Sequence, residues 1–250
     1  MTSARPVDAV FFDLFGTLLS LKPLDEACDR LSPGRGAEIA ARWRARQLEA
    51  SWLRTAMEQW VDFDLVTVDA LRATLRELGV GGSADDRVLG QVAEAFVDLS
   101  LVAGAGEVID ELRAAGLVTG VLTNASSRTV DRVTERLPRM DHCLSVDSAE
   151  RFKPHPSVYR LAADATGLPA TRIGFVTANG WDAAGAGAFG FRVVWLRPDA
   201  NASLPAVGAP EPILATWPEV PTIFVGTPST HAVVHRSVRS ARWRGGRSRR

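Results

Sequence analysis

The chain has 250 residues, 46% hydrophobic and 23% charged, with a formal net charge of zero. That length supports one large domain, or a domain with a substantial insertion, around a hydrophobic core. No run of about 18 or more apolar residues occurs and the N-terminus has no long apolar segment, so neither a membrane span nor a secretion signal is expected, and a cytoplasmic location is.

Residues 7–12 read as a first strand, short and rich in β-branched and aromatic side chains, stopped by Gly16. A helical block follows over 21–103. Within it 35–60 carries Ile39, Trp43, Ala50 and Leu53 at helical spacing, and 67–78 and 85–99 are two further amphipathic segments separated by Gly-Val-Gly-Gly-Ser. Residues 104–116 predict another helix closed by its C-terminal glycine. From there the pattern alternates: strands over 117–122, 142–146, 172–176 and 191–196, helices over 127–137, 156–166 and 183–189. Repeated β–α units predict an α/β fold, a Rossmann-like parallel sheet with helices on both faces, and the block at 21–103 becomes an inserted all-helical cap. The expected division is a core of 1–20 and 104–221, a cap of 21–103, and a tail of 222–250. Residues 201–221, rich in Pro and Ala, are expected to close the core loosely.

The tail is where charge separates. No acidic residue occurs from Thr222 onward and residues 231–250 hold seven arginines, while the first 230 residues carry 22 basic and 29 acidic side chains. A disordered extension is the plain expectation. A nucleic-acid-binding arm is the sharper one, and nothing in the rest of the chain supports it. Cys28 and Cys143 lack metal-ligand spacing and read as thiols in a reducing compartment. Only two lysines occur, Lys22 and Lys153, against 27 arginines.

Four strand ends carry polar residues: Asp13; Thr123 and Asn124; Lys153; and the run Thr177-Ala-Asn179-Gly-Trp181-Asp182. In a parallel sheet these C-terminal edges lie side by side and converge on one crevice. Each alone has a plain reading. A strand-end Asp is as often a capping or turn residue, Thr123-Asn124 could cap the next helix, and Lys153 could be a solvated loop charge. Four in chain order on consecutive strands point to one site. A carboxylate there can form a covalent ester and divide a hard displacement into two easier steps, and a neighbouring ammonium favours its charged form.

The motifs DLFGT, LTN, the lysine of FKPHPSVY and TANGWD resemble those of the haloacid dehalogenase superfamily. RGAEIAARWRARQLEASWLR resembles the arginine-bearing cap helix of its type II (S)-2-haloacid dehalogenase branch. The resemblance covers about residues 7–196. It implies Asp13 as nucleophile, with Thr17, Lys153, Thr177, Asn179 and Asp182 completing the catalytic set and Asp182 activating water. It implies halide reception by Arg44 and Asn124. It places the substrate carboxylate against the Thr123 hydroxyl and backbone N–H groups near Leu14, Phe15 and Asn124. Phe15, Leu48, Phe63 and Trp181 would wall the reacting carbon, and Tyr159 would support the lysine side. Each aromatic is equally at home in a plain core. Arg42 and Arg46 flank Arg44, and the residues alone do not separate the three.

Phe15 stands where the superfamily's phosphatases have a second Asp that protonates the leaving alkoxide. Asn179 stands about where they have an acidic residue that helps bind Mg²⁺. A halide leaves without a proton, and hard cations want more carboxylate than this set offers, so neither metal nor cofactor is expected. Thr123 and Thr177 replace serines frequent in the branch. The expected reaction is (S)-2-haloacid plus water to (R)-2-hydroxyacid plus halide through an aspartyl ester, in a chain whose relatives are often homodimers. The alternatives are the same covalent aspartate acting on another small carbon electrophile, a phosphatase, and a non-catalytic binding domain.

Overall fold

The computed structural model describes residues 6–80, 85–196, 207 and 209–226. Strands β1 (Ala9–Phe12), β2 (Val118–Thr123), β3 (His142–Ser145), β4 (Ile173–Thr177), β5 (Arg192–Leu196) and β6 (Ile213–Ala215) form one six-stranded sheet. Their order is β3-β2-β1-β4-β5-β6 and every neighbouring pair is parallel. The chain is the expected α/β fold with a parallel sheet. β1 lies between β2 and β4, so both its edges are paired, and all four of its residues are fully buried. Two residues paired with β1 are glycines, and aromatic rings fill the space that a Cβ on either would need. A Cβ on Gly120 would stand 2.5 Å from the Phe11 ring, and one on Gly174 2.6 Å from the Phe224 ring.

Between β1 and β2 the chain builds α1 (Pro23–Asp29), α2 (Gly36–Ala56), α3 (Phe63–Leu78) and α4 (Asp86–Ala93). α3 begins four residues before the expected position 67, because the Asp62 side chain caps it by accepting from the Asp64 N–H at 2.6 Å. It ends at Gly79, whose φ of 62° suits a residue without a Cβ. The segment expected as one helix over 85–99 stops at Ala93 and tightens into a 3₁₀ turn, Glu94–Phe96. The two linkers joining this helical block to the sheet hydrogen-bond to each other, Ser20 N–H to Ser100 O at 2.9 Å and Val102 N–H to Leu18 O at 2.8 Å. A second tie runs through Asp64. Its Oδ2 accepts from Ser126 Oγ (2.8 Å) and Arg128 (2.7 Å), and its Oδ1 from Thr129 Oγ1 (3.0 Å).

The remaining helices are α5 (Ala105–Ala114), α6 (Ser127–Thr134), α7 (Pro156–Thr166), α8 (Gly180–Phe189) and α9 (Val220–Val225). Two of the late elements correct the expectation for the C-terminal part. β6 adds a strand inside the stretch read as a loose closure, pairing with β5 from Val194↔Ile213 to Leu196↔Ala215. The tail does not begin at Thr222: Thr222 to Val225 complete α9, and Phe224 is fully buried on Gly174. Charge composition marked the boundary too early because an apolar turn of helix carries no charge to count. Most of the arginine-rich tail lies outside the described residues. No helix among the described residues is long and apolar enough to cross a membrane.

Candidate active site

Asp13 follows β1, and the chain turns at once through Gly16, whose φ of 82° a residue with a Cβ rarely adopts. The turn returns Thr17 beneath the carboxylate. Thr17 Oγ1 donates to Asp13 Oδ2 at 2.9 Å and accepts from the Ala178 N–H at 2.9 Å, so β1 and β4 ends are stitched together. Asn179 Nδ2 also donates to Asp13 Oδ2, at 2.7 Å, and to Phe15 O at 3.2 Å. Thr177 Oγ1 lies at 3.5 Å from the same oxygen. Among the described residues, one carboxylate oxygen is thus held by several donors and the other, Oδ1, by Lys153 Nζ at 3.0 Å.

Lys153 is fully buried and its ammonium bridges Asp13 to Asp182 Oδ2, the latter at 2.9 Å. Nζ also sits 4.9 Å from the centre of the Phe175 ring. Burial by itself would lower the Lys153 pKa; the two carboxylates outweigh it and leave the pKa raised. Asp182 is equally buried, and its pKa is raised to about 6, chiefly by burial, with Lys153 and Tyr159 opposing. The two shifts are compatible because one ammonium serves two carboxylates, and the buried Asp182 receives only part of its charge. Tyr159 Oη donates to Asp182 Oδ1 at 2.7 Å. Burial, then the Asp182 charge, push the phenol well above its ordinary range. Gly185, one turn past Asp182 on α8, makes that bond sterically possible: a Cβ there would stand 2.5 Å from Tyr159 Oη and 2.5 Å from Pro154.

Asn124 fixes the opposite wall. Its Oδ1 accepts from the Lys153 N–H at 2.9 Å, while its buried Nδ2 has no hydrogen-bond partner among the described residues. A buried donor without a partner costs about 1–3 kcal/mol, and an anion placed there would relieve that cost. Thr123, at the end of β2, accepts from the Ala125 N–H at 3.1 Å.

The three arginines of α2 separate by their partners. Arg42 and Arg46 both pair with Glu77 on α3 at the surface. Arg44 is half-buried and donates to Gln47 Oε1 at 2.6 Å. Burial lowers its pKa, and the carboxylates of Asp13 and Asp182 work to raise it. Its charge therefore lies within the field of the buried cluster.

The expected apolar wall is divided. Phe15 and Phe63 line a cavity of about 210 Å³ with Phe96, and Phe15 meets Phe96 edge-on at 5.1 Å. Trp181 instead packs on Trp52 at 5.7 Å and lines a larger groove of about 890 Å³ beside Pro154 and Gly185. Leu48 is half-buried on α2, next to Gln47. Sequence reading missed Gln47, Asp64 and Gly185. The only available signal was a glutamine on the inward stripe of α2.

Among the described residues no group of three His, Cys, Asp or Glu side chains is placed to hold a metal ion. Asp13 and Asp182 are instead joined through the Lys153 ammonium.

Residues 7–190 match the family model described as haloacid dehalogenase-like hydrolase. The chain is 39% identical over 198 residues to an (S)-2-haloacid dehalogenase of Pseudomonas sp. (strain YL), covering 78% of this chain and 84% of the relative. It is 33% identical over 196 residues to haloacetate dehalogenase H-2 of Moraxella sp. (strain B), covering 77% and 87%. A solved L-2-haloacid dehalogenase from Xanthobacter autotrophicus with chloropropionic acid covalently bound superposes with a TM-score of 0.82 at 29% identity, covering 89% of this chain and 100% of that one.

Proposed function

The chain belongs to the haloacid dehalogenase-like hydrolases, and from that premise we propose that it hydrolyses short 2-haloalkanoic acids, turning (S)-2-haloacids into (R)-2-hydroxyacids and halide without a metal. The observation that carries this reading is the pairing of Asp13 with Phe15. The nucleophile is held by Lys153, Thr17 and Asn179, while the position that would protonate an alkoxide is a phenyl ring packed on Phe96. Such a site favours a leaving group that departs unaided as an anion.

The chemistry follows from the two unlike oxygens of Asp13. Oδ1, which accepts from Lys153, attacks the halogen-bearing carbon from behind. The C–O bond forms as the carbon–halogen bond breaks, and the halide leaves with the bonding pair toward Arg44 and Asn124 Nδ2. Preorganised donors in a dry pocket stabilise that charge more than water would. The substrate carboxylate lies against Thr123 and the backbone N–H groups near Leu14, Phe15 and Asn124. A water then adds to Cγ of Asp13 while Asp182 takes its proton, and Oδ2 becomes an oxyanion facing Thr17, Thr177 and Asn179. Collapse breaks the Cγ–Oδ1 bond. The alkoxide takes a proton from Lys153, which regains one from Asp182, and the new Asp13 carboxyl ionises. Attack at the carbonyl in the second step leaves the inverted carbon untouched.

Two finer features go with this reading. Cys28 and Cys143 are unbridged, which suits the cytoplasm. Exposed Leu53 on α2, Met57 just after it and Leu65 on α3 support a homodimer through the helical block.

The test is halide release from both enantiomers of 2-chloropropionate and from chloroacetate, with and without EDTA. Release from the (S)-enantiomer and chloroacetate, (R)-lactate as the chiral product, and no effect of EDTA are expected. No halide from a folded protein would refute the reading, and loss in EDTA would refute the metal-free chemistry. Asp13→Asn should abolish steady turnover.

A further inference from the structure

The inward stripe of α2 runs Ile39, Trp43, Gln47, Ser51, four residues apart, and all four are buried. Apolar side chains suit such a stripe, yet Gln47 is fully buried in its middle. Both ends of its amide are engaged. Oε1 accepts from Arg44 Nη1 at 2.6 Å, and Nε2 donates to Thr67 Oγ1 at 2.5 Å. Thr67 Oγ1 donates its own hydrogen bond to Phe63 O at 2.8 Å. The polarity of this chain has one solution. A guanidinium only donates, so the amide oxygen must face Arg44, and a hydroxyl whose proton is committed to a carbonyl can only accept from the amide nitrogen. The relay therefore runs from the cap helix α2 into the backbone of α3 and terminates on rigid structure. Arg42 and Arg46, on either side, reach the surface instead.

We propose that Gln47, anchored by Thr67, is a positioning residue for Arg44, holding its guanidinium toward the place where the halide departs. The inference rests on the reading of Arg44 as the halide-receiving group. An arginine side chain has many rotamers to lose. Fixing one of its N–H groups on Gln47 aims the remaining donors before the reaction begins, so little reorganisation is left for the transition state. The consequence is specific. Assistance to the leaving group matters more for a poor leaving group than for a good one, so loosening Arg44 should penalise chloride more than bromide.

The experiment compares kcat/KM, which reports through the first irreversible step, for (S)-2-chloropropionate and (S)-2-bromopropionate. The proteins are the wild type, Gln47→Leu, Thr67→Val, Thr67→Ser and the Gln47→Leu/Thr67→Val double variant, each checked for folding by urea denaturation. Gln47→Leu should lower kcat/KM about tenfold for the chloro acid and about threefold or less for the bromo acid, the difference expected from losing one charge-assisted contact. Thr67→Val should widen the bromo-to-chloro ratio in the same direction, Thr67→Ser should restore it, and the double variant should be no worse than Gln47→Leu. Equal losses for both substrates, or an unchanged ratio in both folded single variants, would overturn the inference while leaving the dehalogenase reading intact. Absence of halide from the wild type would overturn that reading and the inference with it.

Discussion

Tyr159→Phe removes one oxygen and tests the hydrolytic half of the reaction. The hydroxyl donates to Asp182 Oδ1 at 2.7 Å in a fully buried setting. A hydrogen bond to a charged group is worth about 1.5–3 kcal/mol, and about 1.4 kcal/mol moves a pKa by one unit. Asp182 starts at about 6, with burial raising it and Tyr159 among the groups that lower it. Losing the hydroxyl therefore moves it upward by about one to two units. A general base works in its ionised form, so the acid limb of kcat should follow, from near pH 6 to about pH 7–8. At pH 7 the ionised fraction would fall from about nine-tenths to between about a half and a tenth, whereas near pH 9.5 variant and wild type should nearly coincide. The assay is steady-state halide release from pH 5 to 10, with acid-quenched mass spectrometry of the protein. At pH 7 the variant should accumulate the Asp13 ester. An unshifted acid limb, or an equal loss at every pH, would refute the assignment of Asp182 as the titrating base.

The same cluster yields further expectations. Gly185→Ala should move the acid limb in the same direction as Tyr159→Phe, since a Cβ at 2.5 Å from the hydroxyl displaces it; a pH profile identical to wild type would argue against that coupling. Lys153→Met leaves the Asp13 and Asp182 carboxylates without their shared ammonium, and urea denaturation at pH 8 should show a loss of about 3–5 kcal/mol together with loss of turnover. Phe224→Ala should cost about 3–5 kcal/mol because the ring is fully buried against Gly174. Removing residues 227–250 should leave both stability and kinetics unchanged, and a kinetic loss would assign the arginine-rich tail a role.

Much of this molecule could be read from local pattern alone. Short apolar runs ending in Asp13, Thr123 and Thr177 predicted a parallel sheet and the edge that carries the candidate site, because side-chain periodicity and strand-end chemistry are written within a few residues of one another. Phe15 and Asn179 narrowed the chemistry through what they cannot do. Partner choice was a different matter. Arg42, Arg44 and Arg46 are alike in sequence, and the packing of α2 on α3 delivers Glu77 to two of them, while the third meets Gln47 of its own helix. Gln47 looks like an ordinary helix residue until its amide is seen spanning two helices, and Gly185 like one more small residue until Tyr159 fills its place. Thr222 to Val225 lie in a helix whose Phe224 packs on Gly174, a residue far back in the chain. Covalent neighbours determine which element forms and which groups stand at its end. Which of those groups meet, and which donors hold each oxygen of Asp13, is decided by long-range contacts that burial makes energetically decisive.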